Sequence, residues 1–151
     1  MIASGQPAPP FDLVDQHRNH VTLDDLAGRP ALVVFMPFAF TRVCGSEMCD
    51  LRNNQAHLEA VDAGVVVITC DTAATNRAWA ESEGFGFTIL SDFWPHGEVT
   101  RAYGTFNEAL GVAHRTSFVL DRGGIVRAVI STGSLREPRP FNSYTDALAA
   151  L

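Results

Sequence analysis

Three cysteines, Cys44, Cys49 and Cys70, carry the most reactive side chains of this sequence. Cys44 is set apart by its surroundings. The unbroken apolar run Ala31 to Met36 has the length of a strand covered on both faces, Pro37 stops it, and a helix is expected to begin near Cys44. Ligand sites in α/β sheets favour this location, beyond the carboxyl end of a strand. A thiol in a helix's first turn faces unpaired backbone N–H groups and the positive end of the helix dipole. Both favour the thiolate, which is the nucleophilic form of cysteine. Thr41, three residues earlier, is placed to cap the helix and to direct its hydroxyl at the sulfur or its substrate. Pro37 has no N–H and holds the chain rigidly beside the thiolate. The competing reading is that Cys44 is simply a small buried residue.

Cys49 lies five residues after Cys44. On a helix this spacing means about 7.5 Å of rise and about 140° of rotation. A disulfide needs Cα atoms about 4.4–6.8 Å apart, so an intact helix does not bridge the pair. The first turn has to unwind, and Gly45 and Ser46 are weak helix formers that make unwinding inexpensive. Cys70 ends a second apolar run, Val65 to Thr69, and reads as a packed bystander. The alternative for Cys70 is a resolving thiol, if that strand ends near Cys44. Two thiols spaced C-x4-C at a helix start, with no paired histidine spacing, make poor zinc geometry, and no metal or other cofactor is expected. The lack of a C-x-x-C motif argues against a general disulfide oxidoreductase.

The elements that must position these residues follow from pattern. Phe11 to Val14 and His20 to Leu23 read as two short strands forming an N-terminal hairpin. Asp24 to Ala27 is one helical turn. After the Ala31 strand, Val43 to Val61 reads as one long helix with Met48, Leu51, Leu58 and Val61 on its apolar stripe. Thr75 to Glu83 is a helix ended by Gly84, Phe87 to Leu90 a strand, and Gly97 to Tyr103 a short helix. Thr116 to Leu120 and Ile125 to Ile130 flank Asp121-Arg122-Gly123-Gly124, a hairpin turn signal, and Ser143 to Leu151 is a closing helix. Strands alternating with helices, then a hairpin, predict an α/β fold with a central mixed sheet flanked by helices. The 151 residues suit one domain spanning 1–151, long enough to fold without disulfide staples.

Charge and hydropathy exclude other classes. There are 11 basic residues, all arginine and scattered, against 17 acidic ones, a net charge of −6. Nucleic-acid readers carry a clustered basic face, so nucleic acid is not an expected partner. No apolar run approaches the roughly 20 residues needed to cross a bilayer, and Met1 to Pro10 lacks the pattern of a signal peptide. A cytoplasmic protein is expected, and there cysteines are more often reactive or buried than bridged.

The segment Pro37-x-x-x-Thr41-x-x-Cys44, with Glu47 three residues on, resembles the signature of the peroxiredoxins. The likeness extends through Leu90-Ser91-Asp92, Tyr103-Gly104 and His114-Arg115-Thr116-Ser117-Phe118 to nearly the whole chain. Ser91 to Gly97 and Tyr103 to Glu108 are similar to the AhpE-like subgroup, whereas the C-x4-C spacing is that of the bacterioferritin-comigratory or Q type.

The resemblance implies a thioredoxin-like fold and thiol-dependent reduction of hydrogen peroxide and organic hydroperoxides, with peroxynitrite a further candidate substrate. It implies that Cys44 thiolate attacks one peroxide oxygen and becomes a sulfenic acid. Arg115 would stabilise the charge arriving on the leaving oxygen. Thr41 and the backbone N–H groups of Val43 and Cys44 would align the peroxide, Pro37 would shield the thiolate, and Glu47 would orient Arg115 or another arginine. Arg42 lies outside the signature and reads as loop surface. Resolution falls to Cys49 or to an external thiol: thioredoxin, a glutaredoxin of the mycoredoxin kind, or a low-molecular-weight thiol. A homodimer is implied, with Phe38 and Phe40 at its interface or lining the substrate pocket. The rival function is a peroxide sensor that uses the same cysteine to signal rather than to turn over.

Overall fold

The computed structural model describes all 151 residues. Its strands are β1 (Asp12–Val14), β2 (His20–Thr22), β3 (Ala31–Phe35), β4 (Gly64–Thr69), β5 (Thr88–Ser91), β6 (Phe106–Asn107), β7 (Val112–Ala113), β8 (Thr116–Leu120) and β9 (Val126–Ser131). Its α-helices are α1 (Arg42–Asn53), α2 (Gln55–Ala60), α3 (Ala73–Glu83), α4 (Glu98–Ala102) and α5 (Phe141–Ala149). Seven strands form one sheet in the order β2-β1-β5-β4-β3-β8-β9. β3 runs parallel to β4 and antiparallel to β8, and β4 runs parallel to β5, so the sheet is mixed as the pattern predicts. The N-terminal hairpin joins this sheet through Val14, which pairs with Ser91.

The β3 run is apolar throughout because both faces are covered. Leu32, Val34 and Met36 point into a core shared with Met48, Leu51 and Trp79. Ala31, Val33 and Phe35 point into a second core with Val99, Tyr103 and Phe118. This is the period-2 alternation of a strand applied to two cores. β3 is an interior strand, so its carboxyl end, which leads to Pro37 and the start of α1, is flanked by β4 and β8. No helix is long and apolar enough to cross a membrane.

Two elements depart from the pattern reading. The helix expected over Val43 to Val61 is two helices, broken at Asn54 (φ −114°, ψ 16°). Asn54 donates both its backbone N–H, at 3.1 Å, and its side-chain amide, at 2.8 Å, to the Asp50 carbonyl, a local side-chain bond that closes the end of α1. The β6–β7 hairpin has two residues per strand, too few to show a period. The expected turn at Asp121 to Gly124 is present. Asp121 accepts the N–H groups of Gly123 and Ile125 at 2.9 and 3.0 Å. The Ile125 N–H and the Arg127 side chain together hold its carboxyl below the usual range.

Candidate active site

Cys44 sits in the first turn of α1 with no exposed surface, packed among Val34, Met36 and Met48. Pro37, also buried, ends the β3 run, a short loop follows, and Thr41 occupies the N-cap position of α1. The first helical bond runs from the Gly45 N–H to the Thr41 carbonyl at 2.8 Å. The N–H groups of Val43 and Cys44 therefore have no acceptor within the protein.

The expected side-chain cap does not form. Thr41 instead donates its hydroxyl to the Phe38 carbonyl at 3.3 Å. Thr41 is exposed, and its hydroxyl accepts from no N–H of the helix.

Arg115 lies just before β8, the strand adjacent to β3, and that pairing carries it to Cys44. Its Nη2 donates to Cys44 Sγ at 3.0 Å, its Nη1 to Glu47 Oε1 at 2.6 Å and its Nε to the Leu135 carbonyl at 2.7 Å. Each of its three nitrogens is thus engaged, one of them with sulfur. Arg115 and Glu47 are each 3% exposed, so this is a buried ion pair. Glu47 stands one helical turn after Cys44, on the same side of α1.

Sequence reasoning missed Arg139. It is 2% exposed and donates to Glu47 Oε2 at 2.6 Å, to the Phe35 carbonyl at 2.9 Å and to Ser117 Oγ at 3.0 Å. Glu47 therefore joins two guanidinium groups. The one local signal is that Pro138 and Pro140 flank Arg139, which stiffens its backbone but says nothing of its partner.

Removing the carboxylate leaves two buried cations facing each other. Glu47→Ala is expected to cost about 3–5 kcal/mol and to lower the melting temperature by about 10 °C. Glu47→Gln, which keeps one acceptor oxygen, should lose less. Thermal melts of the two variants check this, and a Glu47→Ala melt within about 2 °C of the parent would contradict it.

The other candidates separate. Arg42 is exposed, as expected, but it is the first residue of α1 rather than loop. Cys49 is half-buried near the middle of α1 and packs against the Cys44 core. All three cysteines are free thiols. Cys70 is buried, with Sγ 3.7 Å from Thr100 Oγ1. Burial pushes the Cys70 thiol up to about 11, against the opposing hydrogen bond from Thr100. It is a neutral thiol at ordinary pH, in keeping with a packed bystander. No group of three or more metal-ligating side chains is present.

Comparison with known proteins agrees on the family. The model of the AhpC/TSA family matches residues 4–129. Alkyl hydroperoxide reductase E of Mycobacterium tuberculosis is 44% identical over all of this chain and 99% of its own length. A putative peroxiredoxin bcp of Haemophilus influenzae is 28% identical, covering 90% of each chain. Among solved structures, Enterococcus faecalis AhpC matches with a TM-score of 0.89 at 26% identity, covering 99% of this chain and 92% of that one. Peroxidoxin BcpB from Mycobacterium tuberculosis matches with a TM-score of 0.86 at 29% identity, covering 99% and 96%. The thioredoxin-like fold of these peroxiredoxins is the fold seen here.

Proposed function

The chain belongs to the AhpC/TSA family of thiol-dependent peroxidases, and we propose that Cys44 is its peroxide-reducing residue. The observation that carries the assignment is Arg115 Nη2 at 3.0 Å from Cys44 Sγ, on a guanidinium whose other two nitrogens are held by Glu47 and the Leu135 carbonyl. The buried cluster holds two guanidinium charges against one carboxylate, and a thiolate at Cys44 is the charge that balances it.

The thiolate attacks one peroxide oxygen, the O–O bond breaks, and the second oxygen leaves with the electron pair. Sulfur becomes a sulfenic acid, and the alkoxide or hydroxide takes a proton to leave as alcohol or water. Negative charge moves from sulfur to oxygen. Arg115 and the free N–H groups of Val43 and Cys44 face that charge, so they stabilise it as it develops. Thr41 accepts the proton end of the peroxide, and Pro37 closes the loop behind it.

A second thiol then condenses with the sulfenic acid, releasing water and forming a disulfide. Cys44 is fully buried, so no protein thiol reaches it until the start of α1 moves. Cys49, on the same helix, meets it by unwinding of the first turn, through Gly45 and Ser46. A thioredoxin, a mycoredoxin-like glutaredoxin or a small thiol completes the cycle by reducing the disulfide. Exposed Phe38 and Phe40 beside the site suit a homodimer interface. A cytoplasmic setting supplies the reducing thiols that the cycle needs.

Intact mass after one equivalent of hydrogen peroxide tests the cycle. A loss of about 2 Da that requires both Cys44 and Cys49 is expected, with Cys70 remaining a thiol. A gain of about 16 Da that requires only Cys44 would remove Cys49 from the cycle and leave resolution to an external thiol.

A further inference from the structure

The Pro37–Thr41 loop carries two of the proposed catalytic residues, and one side chain outside it grips it. Asp71 Oδ2 accepts the Ala39 N–H at 3.0 Å. The carbonyl of the same peptide unit, that of Phe38, accepts the Thr41 hydroxyl at 3.3 Å. A peptide unit is planar and its N–H and C=O point in opposite directions, so fixing one fixes the other. We propose that Asp71 is a positioning residue for peroxide reduction: by holding the Phe38–Ala39 peptide, it sets the acceptor for the Thr41 proton and thereby turns the Thr41 lone pairs toward the peroxide.

Asp71 is itself well anchored. Its N–H donates to Thr69 Oγ1 at 3.2 Å, and its carbonyl accepts Ser91 Oγ at 2.6 Å. Thr69 in turn donates to the buried Asn76 at 2.8 Å. The grip therefore reaches the loop from the ends of β4 and β5, independently of α1. The loop needs such a grip, because Phe40 adopts φ +61°, a left-handed conformation that strains a non-glycine residue. A strained residue persists only where its neighbours hold it. With the Asp71 carboxylate removed, the Phe38–Ala39 peptide is free to rotate, and the hydroxyl loses its fixed direction. A hydroxyl has one donor and two acceptor positions, so where its proton goes decides what its lone pairs face.

The inference rests on Cys44 reducing peroxide, and the test separates the two. Stopped-flow measurement of the second-order rate of peroxide with the reduced protein is made for the parent, Asp71→Ala, Thr41→Val and the double variant. Asp71→Ala should slow peroxide by at least about tenfold, the scale of a misaligned reactant. In the Thr41→Val background the same change should have less than about a twofold effect, since the group through which Asp71 acts is gone. Asp71→Asn, which keeps an acceptor oxygen, should recover most of the rate. The rate at which iodoacetamide alkylates Cys44 should differ little between parent and Asp71→Ala, because that reaction does not use Thr41. Should Asp71→Ala fail to fold, Asp71→Ser, whose side chain is too short to reach Ala39, takes its place.

Equal slowing with and without Thr41, or a parallel fall in alkylation, would reduce Asp71 to a structural residue and overturn the proposal. An unchanged rate in Asp71→Ala would do the same. A parent inert to peroxide overturns the Cys44 assignment and this inference together, whereas an active parent with additive variants overturns the inference alone.

Discussion

Peroxide consumption by the Cys44→Ser variant should fall at least about 10⁴-fold, to the level of reductant and buffer alone. Serine places a hydroxyl where the attacking thiolate would be, and an alcohol oxygen is almost wholly protonated near neutral pH. It also has no stable oxidised form equivalent to a sulfenic acid, so the reaction has no product on the protein. The substitution changes little else. The new hydroxyl can accept the Arg115 Nη2 that now donates to Sγ, and it stays inside the same buried site. The melting temperature should therefore stay within a few degrees of the parent. Rates with a thiol reductant present, measured beside a melting curve, check both parts. A folded Cys44→Ser protein that retains a tenth of the parent rate would move the reactive thiol elsewhere.

Arg115→Lys should lower the second-order peroxide rate by about 10²–10³-fold, the range found for removing one donor that faces developing negative charge. Charge alone is not the issue, since lysine keeps it. An ammonium is a point donor and cannot span the Leu135 carbonyl, Glu47 and Cys44 at once, as the planar fork does. With Glu47 as the stronger attractor, the lysine nitrogen should settle there and leave the sulfur uncovered. The loss should then appear in the rate more than in the fold, because the Glu47 carboxylate still has Arg139 as a partner at 2.6 Å. Stopped-flow rates well below the melting temperature separate the two effects. An Arg115→Lys variant within fivefold of the parent would show that general positive charge suffices.

Residues close in sequence were readable as a unit. Pro37, Thr41 and Cys44 lie within eight positions, joined by one strand end and one helix start, and the apolar run before them predicts both. Local spacing dictates their relation, and the structure places them together at that junction. Even there, the target of the Thr41 hydroxyl escaped the pattern. An N-cap threonine usually accepts from a helix N–H, and only the path of the loop decides that this hydroxyl donates to the Phe38 carbonyl and accepts from none. The break at Asn54 was missed for a similar reason, because an apolar stripe continues across it at Leu58.

The long-range members show where sequence reading ends. Glu47 could be expected to meet an arginine, yet eleven arginines were available and nothing in the spacing chose among them. The choice is made by strand order. The β3–β8 pairing draws Arg115 to the end of β3, and the segment after β9 returns Arg139 beneath it. Asp71 reaches the active loop because β4 lies parallel to β3, so that both strands end at the same edge. By itself, the sequence determined the strand end and helix start that carry Cys44 and the mixed α/β class, because periodicity and chain breakers act over a few residues. The tertiary structure alone decided which two guanidinium groups share one buried carboxylate, because burying those charges is tolerable only where distant segments converge to pair them.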